Sequence, residues 1–173
     1  MAGIGASAYV LAPCPACGLD WGTEPTACRH CGQVDRMPTG VSLASPQRRF
    51  AGHLLETLLV IGTLVVGWLV WSFVAYGRSQ TPAKQLLNMR VVKLDSREPA
   101  GYGTMVVREW VAKPLLGLVG GLSAGVAYFW MFWDSRNQEL WDKVAGTIVV
   151  SDPEKQLAPP RLPPDWDEPR ATS

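Results

Sequence analysis

Charge is missing from two long stretches of this 173-residue chain: Thr57–Gly77 (TLLVIGTLVVGWLVWSFVAYG) and Pro114–Trp133 (PLLGLVGGLSAGVAYFWMFW) hold no Asp, Glu, Lys or Arg. Histidine is almost absent too. The two present, His30 and His53, sit in different segments, and no nucleophile–base pair, phosphate-cradling loop or open metal site accompanies either, so an enzyme is not expected. Net charge is only +1 and the basic residues are scattered. That leaves no electrostatic footprint for a nucleic-acid partner. The opening MAGIGASAYVLAP lacks the basic n-region of a secretory signal. Cysteine is absent after residue 31, and internal repeats are absent apart from two cysteine pairs.

The uncharged stretches have 21 and 20 residues. As helices rising about 1.5 Å per residue, each is roughly 30 Å long, the thickness of a bilayer's hydrocarbon core. They predict two membrane segments, about 54–77 and 114–133. Six of the eight tryptophans (Trp68, Trp71, Trp110, Trp130, Trp133, Trp141) lie in or beside them, as aromatic interfacial belts would. Before the first segment, Arg49, His53 and Glu56 stand at i, i+4 and i+7, hence on one helical face at the point of entry. A carboxylate there is costly unless paired, so Glu56 is expected to meet Arg49 or a basic residue near Asp142. In the second segment Gly117, Gly121 and Gly125 recur every four residues, a ridge on which another helix can pack closely. Gly120-Gly121 side by side is the alternative, a break that would make the segment re-entrant.

All four cysteines fall within 18 residues, as Cys14-Pro-Ala-Cys17-Gly and Cys28-Arg-His-Cys31-Gly. In each knuckle two thiolates can reach one metal from a tight turn that the glycine permits. The reading is a structural Zn2+ held by Cys14, Cys17, Cys28 and Cys31, with no open coordination position. Two disulfides in an oxidising compartment are the alternative, and His30, which could replace a cysteine as ligand, is read as a solvent-facing knuckle residue. Neither pair is followed by the histidine of a haem-attachment motif.

Residues 32–47 carry proline, glycine and serine without periodicity and read as a linker, with Ser45-Pro46 as the start of a helix. Beyond the first segment, Pro82 opens a short helix, MRVVKL reads as a strand, and 104–113 returns to a helical pattern. Thr147–Val150 is a strand candidate that would pair with it. From Asp152 to Ser173 there are six prolines and no apolar periodicity, which reads as a disordered tail. Its PPRLPP is a candidate polyproline ligand. The fold class expected is mainly α: a helical membrane protein with two membrane segments, a small β element (about 89–94 with 147–150) and an N-terminal zinc ribbon. Its divisions are a leader (1–13), the ribbon (14–31), the linker (32–47), the membrane domain (48–151) and the tail.

The series RRFAGHLLE, TPAKQLLNMRVV, VVRE and LWDKVAGTIVV resembles the RDD family of integral membrane proteins, named for one arginine and two aspartates. The resemblance covers about residues 48–151. Arg49 and Asp142 match the family's arginine and second aspartate. Glu56 stands where the first aspartate would be, and Ala83 and Asn88 replace customary glycines. The resemblance implies transport or cation/proton exchange for some members, with Glu56 and Asp142 as charge carriers in an oligomer. The alternative is a non-transporting adaptor whose ribbon and proline-rich tail bind protein partners. The expected location is the cell membrane, with the lipid bilayer and a second copy or another membrane protein as partners. Thiolate ligands favour the reducing cytoplasm, so the N-terminus is placed inside and two crossings put residues 78–113 outside. Against this, pairing MRVVKL with TIVV needs both strands on one side.

Overall fold

A computed structural model of the chain describes residues 13–21, 26–119 and 124–157. Its centre is β3 (Thr147–Ser151), buried at every position and β-branched from Thr147 to Val150. On one side lies β2 (Met89–Lys93), antiparallel, with Met89 opposite Ser151 and Lys93 opposite Thr147. On the other lies the short β1 (Ser42–Leu43), with Ser42 also opposite Ser151. The order is β1–β3–β2. The pairing read from the sequence for 89–94 and 147–150 is therefore present. Side chains alternate across a strand, so β3 feeds two cores. Ile148, Val150 and Val92 pack with Ala27, Val34, Val41 and Leu157. Val149, Val91 and Met89 pack with Ala44, Tyr76, Ala100 and Met105.

Two polar-looking stretches are structured. Residues 32–47 are not a free linker: Ala27 bridges Val34, Gln33 bridges Ser42, and Val34 and Val41 are fully buried. The Gln33 amide donates to the carbonyls of Val34, Met37 and Pro38, and its oxygen accepts from the Gly40 N–H. Residues 152–157, read from the sequence as the start of a disordered tail, are packed as well. Asp152 accepts from the N–H groups of Gln156 and Leu157, and Leu157 enters the first core. Both stretches lack periodicity because one or two apolar anchors, placed by turns, do the packing. The leader up to residue 12, PPRLPP and Trp166 lie outside the described residues.

The first apolar stretch is not one helix. α1 (Pro46–Gly62) ends at Thr63, and α2 (Val66–Tyr76) follows. Between them Leu64 and Val65 adopt positive φ (53° and 64°), which the α-helix forbids and which is unusual for a β-branched residue. The chain reverses there. In a continuous helix residues 56 and 68 would be about 18 Å apart, yet the Trp68 Nε1–H donates to Glu56 Oε1. Tyr76 at the end of α2 shares a core with Ala44, just before α1. A second excursion follows α3 (Pro82–Leu86), β2, α4 (Tyr102–Val106) and a π-helical stretch, Val107–Ala112. It comprises α5 (Lys113–Val119) and α6 (Ala124–Phe129), then a 3-10 turn, Trp130–Phe132. It returns to α7 (Leu140–Val144), where Trp141 packs with Ala112. Gly117 lies in α5 and Gly125 in α6, while Gly121 lies outside the described residues.

Among the described residues no helix is long and apolar enough to cross a membrane. The single sheet draws its strands from three separate parts of the chain. β1 precedes the first apolar stretch, β2 lies between the two and β3 follows the second.

Candidate functional site

Ser45 caps α1 by accepting from the Arg48 N–H, with Pro46 in the first turn as its fixed φ suits. From that start the helical spacing turns Arg49, His53 and Glu56 to one side, where all three line one small cavity with Lys84, Lys113 and Glu139. Opposite them, Glu139 and Asp142 form a capping box on α7: each side chain accepts from the other's backbone N–H. Both carboxylates are thereby aimed at α1. Arg49 Nη2 lies 2.5 Å from Asp142 Oδ2 and 2.5 Å from Glu139 Oε2, and Nη1 donates to the Asn137 carbonyl at 2.8 Å. His53 Nε2 contacts Glu139 Oε1.

The π-helical stretch supplies the rest. Its wider turn, of a kind often found at functional sites, buries Arg108 completely. Arg108 reaches Asp142 Oδ1 through Nε at 2.7 Å and Nη2 at 2.6 Å, and Nη1 contacts Glu109. Glu109 also takes Lys113 at 3.3 Å and lies 3.9 Å from Lys84. Burial alone would raise the Glu139 carboxyl, but Arg49, His53 and Arg108 hold it well below the ordinary range. Burial likewise opposes the charge on Glu109, which Lys113, Arg108 and Lys84 outweigh. Lys113 also lies over the Tyr128 and Trp141 rings at 5.9 and 5.5 Å. Trp141 is thus a core residue rather than part of an interfacial belt.

Glu56 does not pair with Arg49, nor with a basic residue near Asp142. Its carboxylate accepts from Trp68 Nε1, from Thr81 Oγ1 at 2.7 Å and from the Ala83 N–H at 3.2 Å. It thus ties α1 to α2 and to the first turn of α3. The join between α1 and the C-terminal motif belongs to Arg49. A larger cavity of about 330 Å³ opens beside the cluster, lined by His53, Glu56, Thr57, Val60, Ile61, Trp68, Lys113 and Tyr128.

The four cysteines converge as their spacing predicts. Cys14 Sγ lies 3.6 Å from Cys31 Sγ and Cys17 Sγ 3.7 Å from Cys28 Sγ, and all four sulfurs fall within 4.8 Å of one another. No pair is bonded as a disulfide. Tetrahedral thiolates about 2.3 Å from a metal stand about 3.8 Å apart, so the donor set fits such an ion. Burial pushes the Cys28 thiol up, but backbone N–H groups of Cys31 and His30 outweigh it and bring it down to about 7. The ligand set is complete without His30, whose Nε2 instead lies 3.4 Å from Asp20.

A protein-family model, the RDD family, matches residues 34–146. The chain belongs to the RDD family. Membership points to a membrane protein of unassigned function. Two curated relatives are the "Proline-rich antigen homolog" proteins of Mycobacterium tuberculosis strains CDC 1551 / Oshkosh and ATCC 25618 / H37Rv. Each is 30% identical over 109 residues, covering 60% of this chain. The chain spans 41% of the length of these relatives. No solved structure matches.

Within this RDD chain, Arg49 and Asp142, which resemblance alone likens to the family's arginine and second aspartate, are direct partners. Glu56, at the place of the first aspartate, belongs to a separate network. Sequence reasoning missed Arg108, Glu109 and Glu139 as members of the cluster. The capping pattern Glu139-x-x-Asp142 and two adjacent charges inside MVVREWVA were the available signals.

Proposed function

We propose that this RDD chain is a non-transporting membrane adaptor: an anchored platform whose ribbon and proline-rich tail bind protein partners. The observation that carries this is the engagement of the family charges. Asp142 is held between two arginines, and Glu56 is occupied by three donors. A carboxylate that shuttles an ion must exchange partners, and charges locked this way inside protein serve assembly instead. The ribbon, stabilised by Zn2+ on Cys14, Cys17, Cys28 and Cys31, is continuous with the sheet through Val34 and Val41. It is therefore presented at a fixed orientation rather than on a tether. The relatives' printed name, proline-rich antigen homolog, accords with the proline-rich C-terminal stretch.

Transport of ions or small solutes by an oligomer is the second reading. It is favoured by the open cavity between the excursions, where His53, Glu56 and Lys113 meet apolar walls. Proteoliposomes carrying a cation or pH gradient separate the two. The adaptor reading expects wild-type flux no greater than that of protein-free vesicles. Wild-type flux abolished by Glu56→Gln, in a variant that stays folded, would overturn it.

A further inference from the structure

We infer that the two apolar excursions enter a bilayer from the same side and return to it, the first as a hairpin that reaches only about the midplane. The inference rests on the membrane reading above and goes beyond it, since it excludes any crossing. The partner is the acyl layer of a single leaflet.

Four observations carry it. First, β1, β2 and β3 lie before, between and after the excursions yet form one sheet, so each excursion must leave and return on that side. Second, the lengths fit one leaflet. From Glu56, anchored at its base to Thr81 and Ala83, to Leu64 at the turn is eight residues, about 12 Å of helix. The returning α2 has 11 residues, about 16 Å. Half of a hydrocarbon core is about 15 Å. The described outgoing arm of the second excursion, α5, has 7 residues, about 10 Å. Third, the outward side chains are apolar and unpartnered: Leu58, Ile61, Leu64, Val66 and Val70 are all more than 60% exposed, with Leu64 at the tip 82% exposed. Fourth, the tip can sit in hydrocarbon because its backbone donors are used internally. Leu64 N donates to Ile61 O, Val65 N to Val60 O, Val66 N to Leu64 O and Gly67 N to Thr63 O, while the Thr63 hydroxyl donates to Leu59 O. Unsatisfied groups there would find no hydrogen-bond partner in lipid. The charged cluster lies at the bases of the excursions, at the depth of the headgroups.

The test uses the full chain expressed in bacterial cells. An alkyne-bearing amino acid replaces Thr39, Glu98 or Glu154, one at a time, and a membrane-impermeant azide dye is applied to intact cells and to inverted membranes. One-sided entry expects the three sites to react together, in the same preparation. Glu98 reacting from the face opposite Thr39 and Glu154 would overturn the inference. A nitroxide at Leu64, in protein reconstituted into neutral vesicles, then reports depth. It should be shielded from aqueous quenchers on both faces and lie about 12 Å below the headgroups. Quenching from the far side means the hairpin crosses, and the inference falls. Shielding that persists in lipid-free detergent, with a dimer in light scattering, assigns the tip to a second copy and also overturns it. If the protein fails to float with neutral vesicles, the membrane reading itself is wrong. That result is distinct from correct flotation with the wrong sidedness.

Discussion

Replacing Asp142 by asparagine isolates the cluster's central charge. The change keeps the shape and leaves an oxygen to accept from the Glu139 N–H, now 3.1 Å from Asp142 Oδ2, so the cap on α7 is largely preserved. What goes is the negative charge between Arg49 at 2.5 Å and Arg108 at 2.6 Å, where both guanidinium groups are buried. Removing one partner of a buried ion pair costs about 3–5 kcal/mol, because it strands the opposite charge. Glu139 still faces Arg49, and Glu109 still faces Arg108, which puts the expected loss near the lower end. For a chain of this size that corresponds to a fall in Tm of about 6–12 °C, read by tryptophan fluorescence of detergent-solubilised protein. Arg108→Met combined with Asp142→Asn should cost at least about 1 kcal/mol less than the sum of the two single changes, since residues in one network do not add. A loss under about 1 kcal/mol, or strict additivity, would refute the view that these charges clamp the helices together.

Three further outcomes are expected. Purified protein should contain one zinc per chain, and Cys28→Ser should release it and expose the segment around Val34 and Val41 to proteolysis, because binding and folding of so small a unit are coupled; metal-free protein with four sulfurs in disulfides would contradict this. Glu139 and Glu109 have folded-state pKa values depressed below the ordinary 4.5, so their contribution is complete above that value and lost as the pH falls below it. Thermal stability should therefore drop below about pH 4.5, and Glu139→Gln should be less stable at neutral pH with a flatter acid limb. Glu56→Asp should fail to restore what Glu56→Gln loses, about 1.5–3 kcal/mol for hydrogen bonds to a charged group, because a side chain one methylene shorter cannot span from α1 to both Trp68 and Ala83; recovery in a denaturant titration would argue against that network.

The sequence by itself determined the cysteine cluster, the β2–β3 pairing and the one-sided face of Arg49, His53 and Glu56. Each follows from a local rule: knuckle spacing, β-branched runs, or helical periodicity. Composition likewise marked both apolar stretches, but it cannot distinguish a helix from a helical hairpin, since both are simply uncharged. The reversal at Leu64–Val65 carries no glycine at the turning positions themselves, and only the sheet and the Glu56–Trp68 contact require it. Tertiary structure alone decided which charges meet. Arg49 and Asp142 are 93 residues apart, and Arg108 is placed by a π-helical turn whose register no sequence period announces. Glu56 reads as a membrane-facing carboxylate until α3 folds against it and uses it as a cap. Buried ion pairs are selected by three-dimensional complementarity, because a charge taken from water needs its partner at hydrogen-bond distance wherever in the chain that partner lies.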